Sequence, residues 1–103
     1  MVTHTLVFSF PDQMSDADRD QFFNEGSALI LDSGLVESYE HKRSIPVASD
    51  VNASAFVASA IARARCADLD TMRKFFAYPP LIQFVRRWQD KFPYDVVWVN
   101  TED

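Results

Sequence analysis

The stretch Val-Thr-His-Thr-Leu-Val-Phe-Ser-Phe, residues 2–10, is typical of a β-strand and limits the fold more than any other segment. Its residues alternate with a period of two, and one side is wholly apolar except for His4. A second strand pattern, Tyr-Asp-Val-Val-Trp-Val-Asn-Thr, covers residues 94–101. The helical patterns lie between these two strands, and few folds accommodate that order.

Further helix and strand patterns follow the first strand. Ser15 is a good N-cap for a helix over residues 16–31, which Gly34 should stop. The next segment, 36–45, is polar on both faces, as expected of an edge strand. Residues 54–65 are rich in alanine, which favours helices, but they alternate with a period of two. We therefore predict a strand there.

Two consecutive prolines divide the second helical region. Asp68 can cap a helix over about residues 69–77. Pro79 and Pro80 break that helix, and a proline can start a new one at its first turn. The helix that follows is amphipathic, with three basic residues expected to face solvent: Arg86, Arg87 and Lys91.

The element order is therefore β-α-β-β-α-β. This order predicts a ferredoxin-like α+β fold, in which a four-stranded antiparallel sheet carries its helices on one face. A chain of 103 residues suits one domain, so we expect a single domain over residues 1–103. The other sheet face would be wetted apolar surface if it stayed bare. Pairing two such sheets face to face predicts a symmetric homodimer.

Composition limits the classes of partner. A formal charge of −5 repels phosphate backbones, so nucleic acid is not an expected partner. No apolar stretch approaches the ~20 residues that span a bilayer, so no membrane partner is expected either. The one cysteine, Cys66, cannot form an intrachain disulfide and fits a reducing compartment. With no signal peptide visible, the expected location is cytoplasmic.

The sequence predicts no metal site and no cofactor. His4 and His41 share no metal-ligand spacing with Cys66. The chain has only two glycines, so it lacks a glycine-rich phosphate loop. His41 lies in a polar strand and should be solvated, and Cys66 is expected to be an inert small residue.

Taken together, these elements resemble the stress-responsive dimeric α/β-barrel family, known as the Dabb domain, over nearly the whole chain. Four features carry the resemblance: the histidine in the first strand, the Ser15–Leu31 helix ending at Gly34-Leu35-Val36, the helix 69–77 running into Tyr78-Pro79, and the valine-rich closing strand Asp95–Val99. The resemblance implies a homodimer whose two sheets form a barrel. It also implies that further assembly into a larger ring is open to the chain.

The resemblance also implies a pocket. Plant polyketide cyclases of this family use a pocket between sheet and helices, where the strand-one histidine pairs with a second histidine after a proline turn. His4 matches the first histidine, but Leu81 stands at the second position. Phe75 and about Gly26 stand where those cyclases carry tyrosines. Leucine and phenylalanine cannot shuttle protons, so the pocket is expected without that cyclase chemistry.

His4 is the candidate catalytic residue, either as an acid/base or as a group that orients a ligand carbonyl. The alternative is a buried neutral imidazole that is hydrogen-bonded to backbone. The predicted ligand-binding residues around His4 are Leu6, Phe8, Gly26, Phe75, Tyr78, Leu81, Phe84 and Trp88. Aromatic residues at helical spacing belong to the core more often than to a ligand site.

Three functions stay open. The first is binding of a small aromatic or polyketide-like, largely apolar molecule in the pocket. The second is a non-enzymatic, stress-associated structural dimer or higher oligomer whose pocket is filled core. The third is a cofactor-free monooxygenase or cyclase-like enzyme on the same barrel, and whether any reaction is catalysed stays open. An enclosed cavity beside His4 would favour binding, whereas a filled core with His4 bonded to backbone would favour assembly.

Overall fold

The main elements follow one another in the predicted order. A computed structural model describes all 103 residues. The elements are β1 (Val2–Ser9), α1 (Asp16–Asp32), β2 (Ser38–Arg43), β3 (Ala60–Cys66), α2 (Leu69–Phe76), α3 (Pro79–Lys91) and β4 (Asp95–Glu102), with a short 3₁₀ turn at Ala48–Asn52 between β2 and β3. The predicted division of the second helical region at the prolines is confirmed. No helix of the chain combines the length and the apolar character that a bilayer crossing requires.

The sheet has four strands in the order β2-β3-β1-β4, and every neighbouring pair is antiparallel. This arrangement confirms the ferredoxin-like α+β prediction. The polar strand β2 is an edge strand, as its sequence predicts. The long strand β1 is central, and its register sets which residues of the other strands share a face with His4.

One cross-strand row passes through His4 at the centre of the sheet. Ala64 of β3 pairs with both His4 and Tyr39, and Asn100 of β4 pairs with His4 on the other side. Residues that lie opposite one another on adjacent strands project from the same face. Tyr39, Ala64, His4 and Asn100 therefore form a central row on the helix-covered face.

The prediction of a strand over residues 54–65 is wrong for its first part, since β3 begins at Ala60. Both strands beside β3 stop pairing there, because Phe8 of β1 and Arg43 of β2 are the partners of Ala60. An alternating segment without neighbours cannot form ladder hydrogen bonds. The preceding residues are therefore loop, and the Phe56 side chain is 54% exposed.

The helix boundaries follow the predicted capping residues. Ser15 Oγ accepts a hydrogen bond from the Asp18 N–H at 3.1 Å, and Asp18 Oδ2 accepts one from the Ser15 N–H at 3.0 Å. This reciprocal pair satisfies two free amides at the start of α1. Gly34, just after α1, has a φ of +70°, a left-handed conformation that favours glycine. Asp68 caps α2 by accepting from the Thr71 N–H at 2.8 Å.

The core lies between the helices and one sheet face. Phe22 and Phe23 of α1 pack edge-on against Phe8 of β1, with ring centroids 5.6 and 5.7 Å away. The β3 residues that face the helices are small and almost fully buried: Ala60, Ala62, Ala64 and Cys66. Their small volume lets the helices approach the sheet at one end and leaves unfilled space near the central row.

The opposite sheet face has no helix over it, and we call it the open face. On this face, Val7 of β1 lies between Val97 of β4 and Ile61 of β3. Thr5 of β1 lies beside Val99 of β4. Val97 and Val99 are 58% and 55% exposed. Exposed apolar residues that adjoin one another on a sheet mark a surface that a partner can cover.

Candidate functional site

A cavity of about 550 Å³ lies between the helix-covered sheet face and the helices. This volume falls within the range of small-molecule sites, about 300 to 1,000 Å³. Of the 19 residues that line it, 15 are hydrophobic. The predicted site residues that line it are His4, Leu6, Phe8, Gly26, Phe75, Leu81 and Phe84.

Two residues predicted to bind ligand lie outside this cavity. Tyr78 is the N-cap residue of α3 and is half-buried there. Trp88 is buried in the aromatic core, where its Nε1 donates to Glu25 Oε2 at 3.0 Å. The indole of Trp88 is therefore turned toward α1 and contributes to packing of α1 against α3.

Small residues on both sides leave the cavity unfilled. Gly26 of α1 lines it, and a Cβ at that position would lie 3.2 Å from Phe84 Cζ. The missing side chain thus permits close packing of Phe84 against α1. On the sheet, Ala64 lies in the central row between His4 and Tyr39 and forms the floor of the cavity between them.

His4 is held by a side chain and not by backbone. The ring is 5% exposed, and its Nδ1 lies 2.6 Å from Asn100 Oδ1. Because a carboxamide oxygen only accepts hydrogen bonds, Nδ1 donates, and in the neutral ring Nε2 then carries the lone pair. No group of the chain hydrogen-bonds Nε2. Phe76 packs against the ring with centroids 4.8 Å apart, so the imidazole is fixed in orientation with a free acceptor.

The protonation state of His4 follows from its surroundings. Burial lowers the pKa of His4 below 6.5, and the hydrogen bond to Asn100 opposes this shift only in part. The imidazole is therefore neutral at pH 7. A neutral imidazole with a free Nε2 can accept a hydrogen bond or a proton from a molecule in the cavity.

This lowered pKa predicts a pH dependence of stability. Below 6.5 the unfolded chain takes up a proton on His4 that the folded chain does not, so the free energy of unfolding falls until the pH passes the folded-state pKa. Above 6.5 this contribution is constant. Urea denaturation from about pH 7.5 to about pH 5.5 should show a larger loss for the wild type than for His4→Gln. Equal losses in the wild type and His4→Gln would contradict the assignment.

Two tyrosines that the sequence did not single out also line the cavity. Burial raises the pKa of Tyr39 to about 12, and burial also raises the pKa of Tyr94. Both phenols therefore stay protonated at neutral pH. No group of the chain hydrogen-bonds the Tyr39 hydroxyl, so it is free to donate to a ligand. Tyr39 lies across Ala64 from His4, which places a donor and an acceptor on either side of the cavity floor.

The exposed lining residues mark the mouth of the cavity. They come from the end of α2, from α3 and from β4: Phe76, Ile82, Val85, Arg86 and Trp98. Arg86, expected to face solvent with its two basic neighbours, therefore borders the cavity. The helical spacing of Ile82 and Arg86, four residues apart, places both on the same side of α3.

The other titratable groups considered in the sequence analysis, His41 and Cys66, do not line the cavity. His41 is exposed and stacks on Phe23, with ring centroids 4.4 Å apart. Cys66 is buried, and burial raises the pKa of its thiol, which disfavours the reactive thiolate. No group of three or more His, Cys, Asp or Glu side chains lies close enough together to hold a metal ion.

Several solved structures share this fold. A protein of Arabidopsis thaliana is 13% identical, with a TM-score of 0.82 over 100% of this chain and 95% of that chain. Hydroxynitrile lyase from Passiflora edulis is 17% identical, with a TM-score of 0.80 over 97% of this chain and 90% of that chain. A Dabb family protein from Mesorhizobium loti is 17% identical, with a TM-score of 0.76 over 99% and 95%. The chain therefore shares the ferredoxin-like fold of these proteins.

Two more solved structures share this fold. A dimeric ferredoxin-like protein from Thermobifida fusca is 14% identical, with a TM-score of 0.75 over 99% of this chain and 90% of that chain. SnoaB, a cofactor-independent oxygenase from Streptomyces nogalater, is 15% identical, with a TM-score of 0.70 over 99% and 93%. No family model and no curated protein matches the chain in sequence.

Proposed function

We propose that this chain is a Dabb-type protein that binds a small aromatic or polyketide-like molecule in the cavity beside His4. The observation that carries the proposal is the state of that histidine. Asn100 occupies Nδ1, and Nε2 has no partner in a cavity whose walls are otherwise mostly apolar. An apolar body would fill the cavity, and one oxygen of the ligand would bond Nε2. Sites with apolar walls and a few placed polar groups are typical of small-molecule binding.

The alternative of a purely structural dimer or higher oligomer predicts a filled core with His4 bonded to backbone. A cavity of about 550 Å³ and a side-chain partner for His4 both favour ligand binding over that alternative. Protein interiors are close-packed, and voids larger than a water molecule are few. The cavity is not an enclosed void, since it opens at its mouth, but a cleft of this volume with mostly apolar walls is typical of a ligand site.

A reaction at this site would be acid–base chemistry. In such a reaction, His4 Nε2 would take a proton from a phenol or from a carbon next to a carbonyl, while the Tyr39 hydroxyl would donate to the developing oxyanion. The cofactor-independent oxygenase and the hydroxynitrile lyase among the structural neighbours support chemistry on this fold. This catalytic function is the second candidate, and it needs no cofactor. Both candidates use the same residues.

We also propose that the protein is a homodimer and lies in the cytoplasm. The open face supports the dimer, since Val97 and Val99 are exposed beside Val7 and Ile61. Dimeric neighbours with the same fold support it as well. A larger ring would need further contacts outside this face. Reducing conditions in the cytoplasm would keep the Cys66 thiol as the structure has it.

The ligand site is tested by titrating 2-naphthol, an aromatic phenol, into the wild type and His4→Ala by isothermal titration calorimetry. Loss of the bond to Nε2 should weaken binding about fivefold to tenfold, because a neutral hydrogen bond contributes about 1 kcal/mol or slightly more. His41→Ala is the matched control and should bind like the wild type. A large loss of stability in His4→Ala with unchanged affinity would contradict the proposal.

A further inference from the structure

The cavity contains a single formally charged side chain, that of Arg86, and no aspartate or glutamate lines it. The charge of the lining is therefore opposite in sign to the charge of the whole chain, which has 15 acidic and 10 basic residues. The acidic side chains are therefore excluded from the lining while one guanidinium borders it. A cleft with apolar walls and one sign of charge raises the local concentration of ligands of the opposite sign.

Arg86 also differs from every other arginine of the chain, because it has no partner. Its neighbour Arg87 forms an ion pair with Glu25 at 2.9 Å. Arg19 lies over the Phe10 ring and donates to the Pro11 carbonyl. The remaining arginines all form ion pairs: Arg43, Arg63, Arg65 and Arg73. The guanidinium of Arg86 thus has no partner in the chain, whereas the guanidinium of each of the other arginines has one.

The position of Arg86 fits a ligand that enters with its apolar end first. Arg86 lies at the mouth on α3 beside Ile82 and Val85, whereas His4 lies on the sheet side, where the mouth residues Phe76 and Trp98 pack against its ring. A guanidinium presents planar paired donors that match a carboxylate with two parallel hydrogen bonds. A ligand with a carboxylate at one end would place that group at the mouth and its apolar body over Ala64.

We propose that the ligand of this cavity is an amphipathic carboxylate, whose anionic group is bound by Arg86 while its apolar body extends inward to His4. This inference rests on the proposed function, since it describes the ligand of the same cavity. It assigns Arg86 as the residue that selects anions over neutral molecules of the same shape. The inner groups, His4 and Tyr39, select the oxygen atoms at the other end.

The test compares 2-naphthoate with 2-naphthol, which share an aromatic body but differ in charge at neutral pH. Arg86→Gln should weaken 2-naphthoate binding about tenfold, because it removes a charge-assisted bond, and should leave 2-naphthol binding within about twofold. Added salt should weaken only the binding of 2-naphthoate. Arg87→Gln is the matched control on the same turn of α3, and it should leave the affinities for both compounds near their wild-type values.

The outcomes separate this inference from the proposed function. If 2-naphthol binds the wild type but Arg86→Gln does not reduce 2-naphthoate binding, the inference is overturned and the proposed function stands. Equal weakening of both compounds by Arg86→Gln would overturn it too, because charge would then play no part. If neither compound binds the wild type, the proposed function fails and the inference fails with it. Thermal melting establishes that each variant is folded before titration.

Discussion

Replacing Val97 and Val99 together by lysine should turn the protein from a dimer into a monomer. Both side chains lie on the open face, 58% and 55% exposed in the single chain, beside Val7 and Ile61. Burying a valine contributes about 1.5 kcal/mol or more to association. The double substitution removes two such contributions from each subunit and places four ammonium groups in a desolvated interface. Sedimentation equilibrium at micromolar concentration should then give the mass of one chain.

The matched control for this experiment is Val47→Lys with Val51→Lys, of which Val47 is the N-cap of the 3₁₀ turn and Val51 lies within it. Those valines are also exposed, but they lie outside the open face. The control should sediment as the wild-type dimer. A wild type that sediments as a single chain at micromolar concentration would contradict the proposed barrel, and so would a Val97→Lys, Val99→Lys variant that keeps the mass of two chains.

Replacing Ala64 by leucine should reduce 2-naphthol binding by at least tenfold while the fold is kept. Ala64 is 1% exposed and lies in the central row between His4 and Tyr39. Leucine adds three carbons above the floor of the cavity, between the free acceptor and the free donor. A ligand could then reach neither group without a clash. Because Ala64 also belongs to a core cluster with Met72 and Phe75, we expect the larger side chain to lower the free energy of unfolding by about 1–3 kcal/mol.

Ala67→Leu is the matched control, because Ala67 is exposed just beyond β3 and does not line the cavity. Calorimetric titration with 2-naphthol should give the wild-type affinity for this control. Urea denaturation of all three proteins separates loss of the site from loss of the fold. Undiminished 2-naphthol binding by a folded Ala64→Leu variant would show that the ligand does not lie over the central row.

The fold was predictable because its determinants are local. The alternation of residues 2–10, the caps at Ser15 and Asp68, and the break at Pro79 each depend on side chains within a few positions of one another. Such patterns specify an element without reference to the rest of the chain. The order of the elements then leaves few topologies open.

The site was predictable only in part because it depends on strand register. A slip of one residue between β1 and β4 would move Asn100 to the other sheet face, so the sequence did not identify it as the partner of His4. Tyr39 is brought into the same row by two successive pairings through Ala64. The only feature of the sequence that indicated the mouth was the four-residue spacing of Ile82 and Arg86. Amphipathic helices in general have this spacing, so it did not identify the mouth.

In the loop before β3, a local sequence pattern predicted the wrong structure. Its residues alternate as a strand would, but ladder hydrogen bonds need a neighbour, and the pairing of β3 with both β1 and β2 begins at Ala60. Alternation in a segment rich in alanine therefore indicates a strand only where an adjacent strand extends beside it. The start of β3 therefore depends on the lengths of β1 and β2. Those lengths depend in turn on the residues that flank β1 and β2.

The free acceptor on His4 can be observed directly by ¹⁵N NMR of the imidazole nitrogens during a titration with 2-naphthol. His41 is the other histidine of the chain and serves as an internal reference. We predict a neutral His4 ring protonated on Nδ1, whose Nε2 resonance shifts with added 2-naphthol while those of His41 stay constant. A His4 ring protonated on Nε2, or an Nε2 resonance that does not respond to saturating 2-naphthol, would contradict the account.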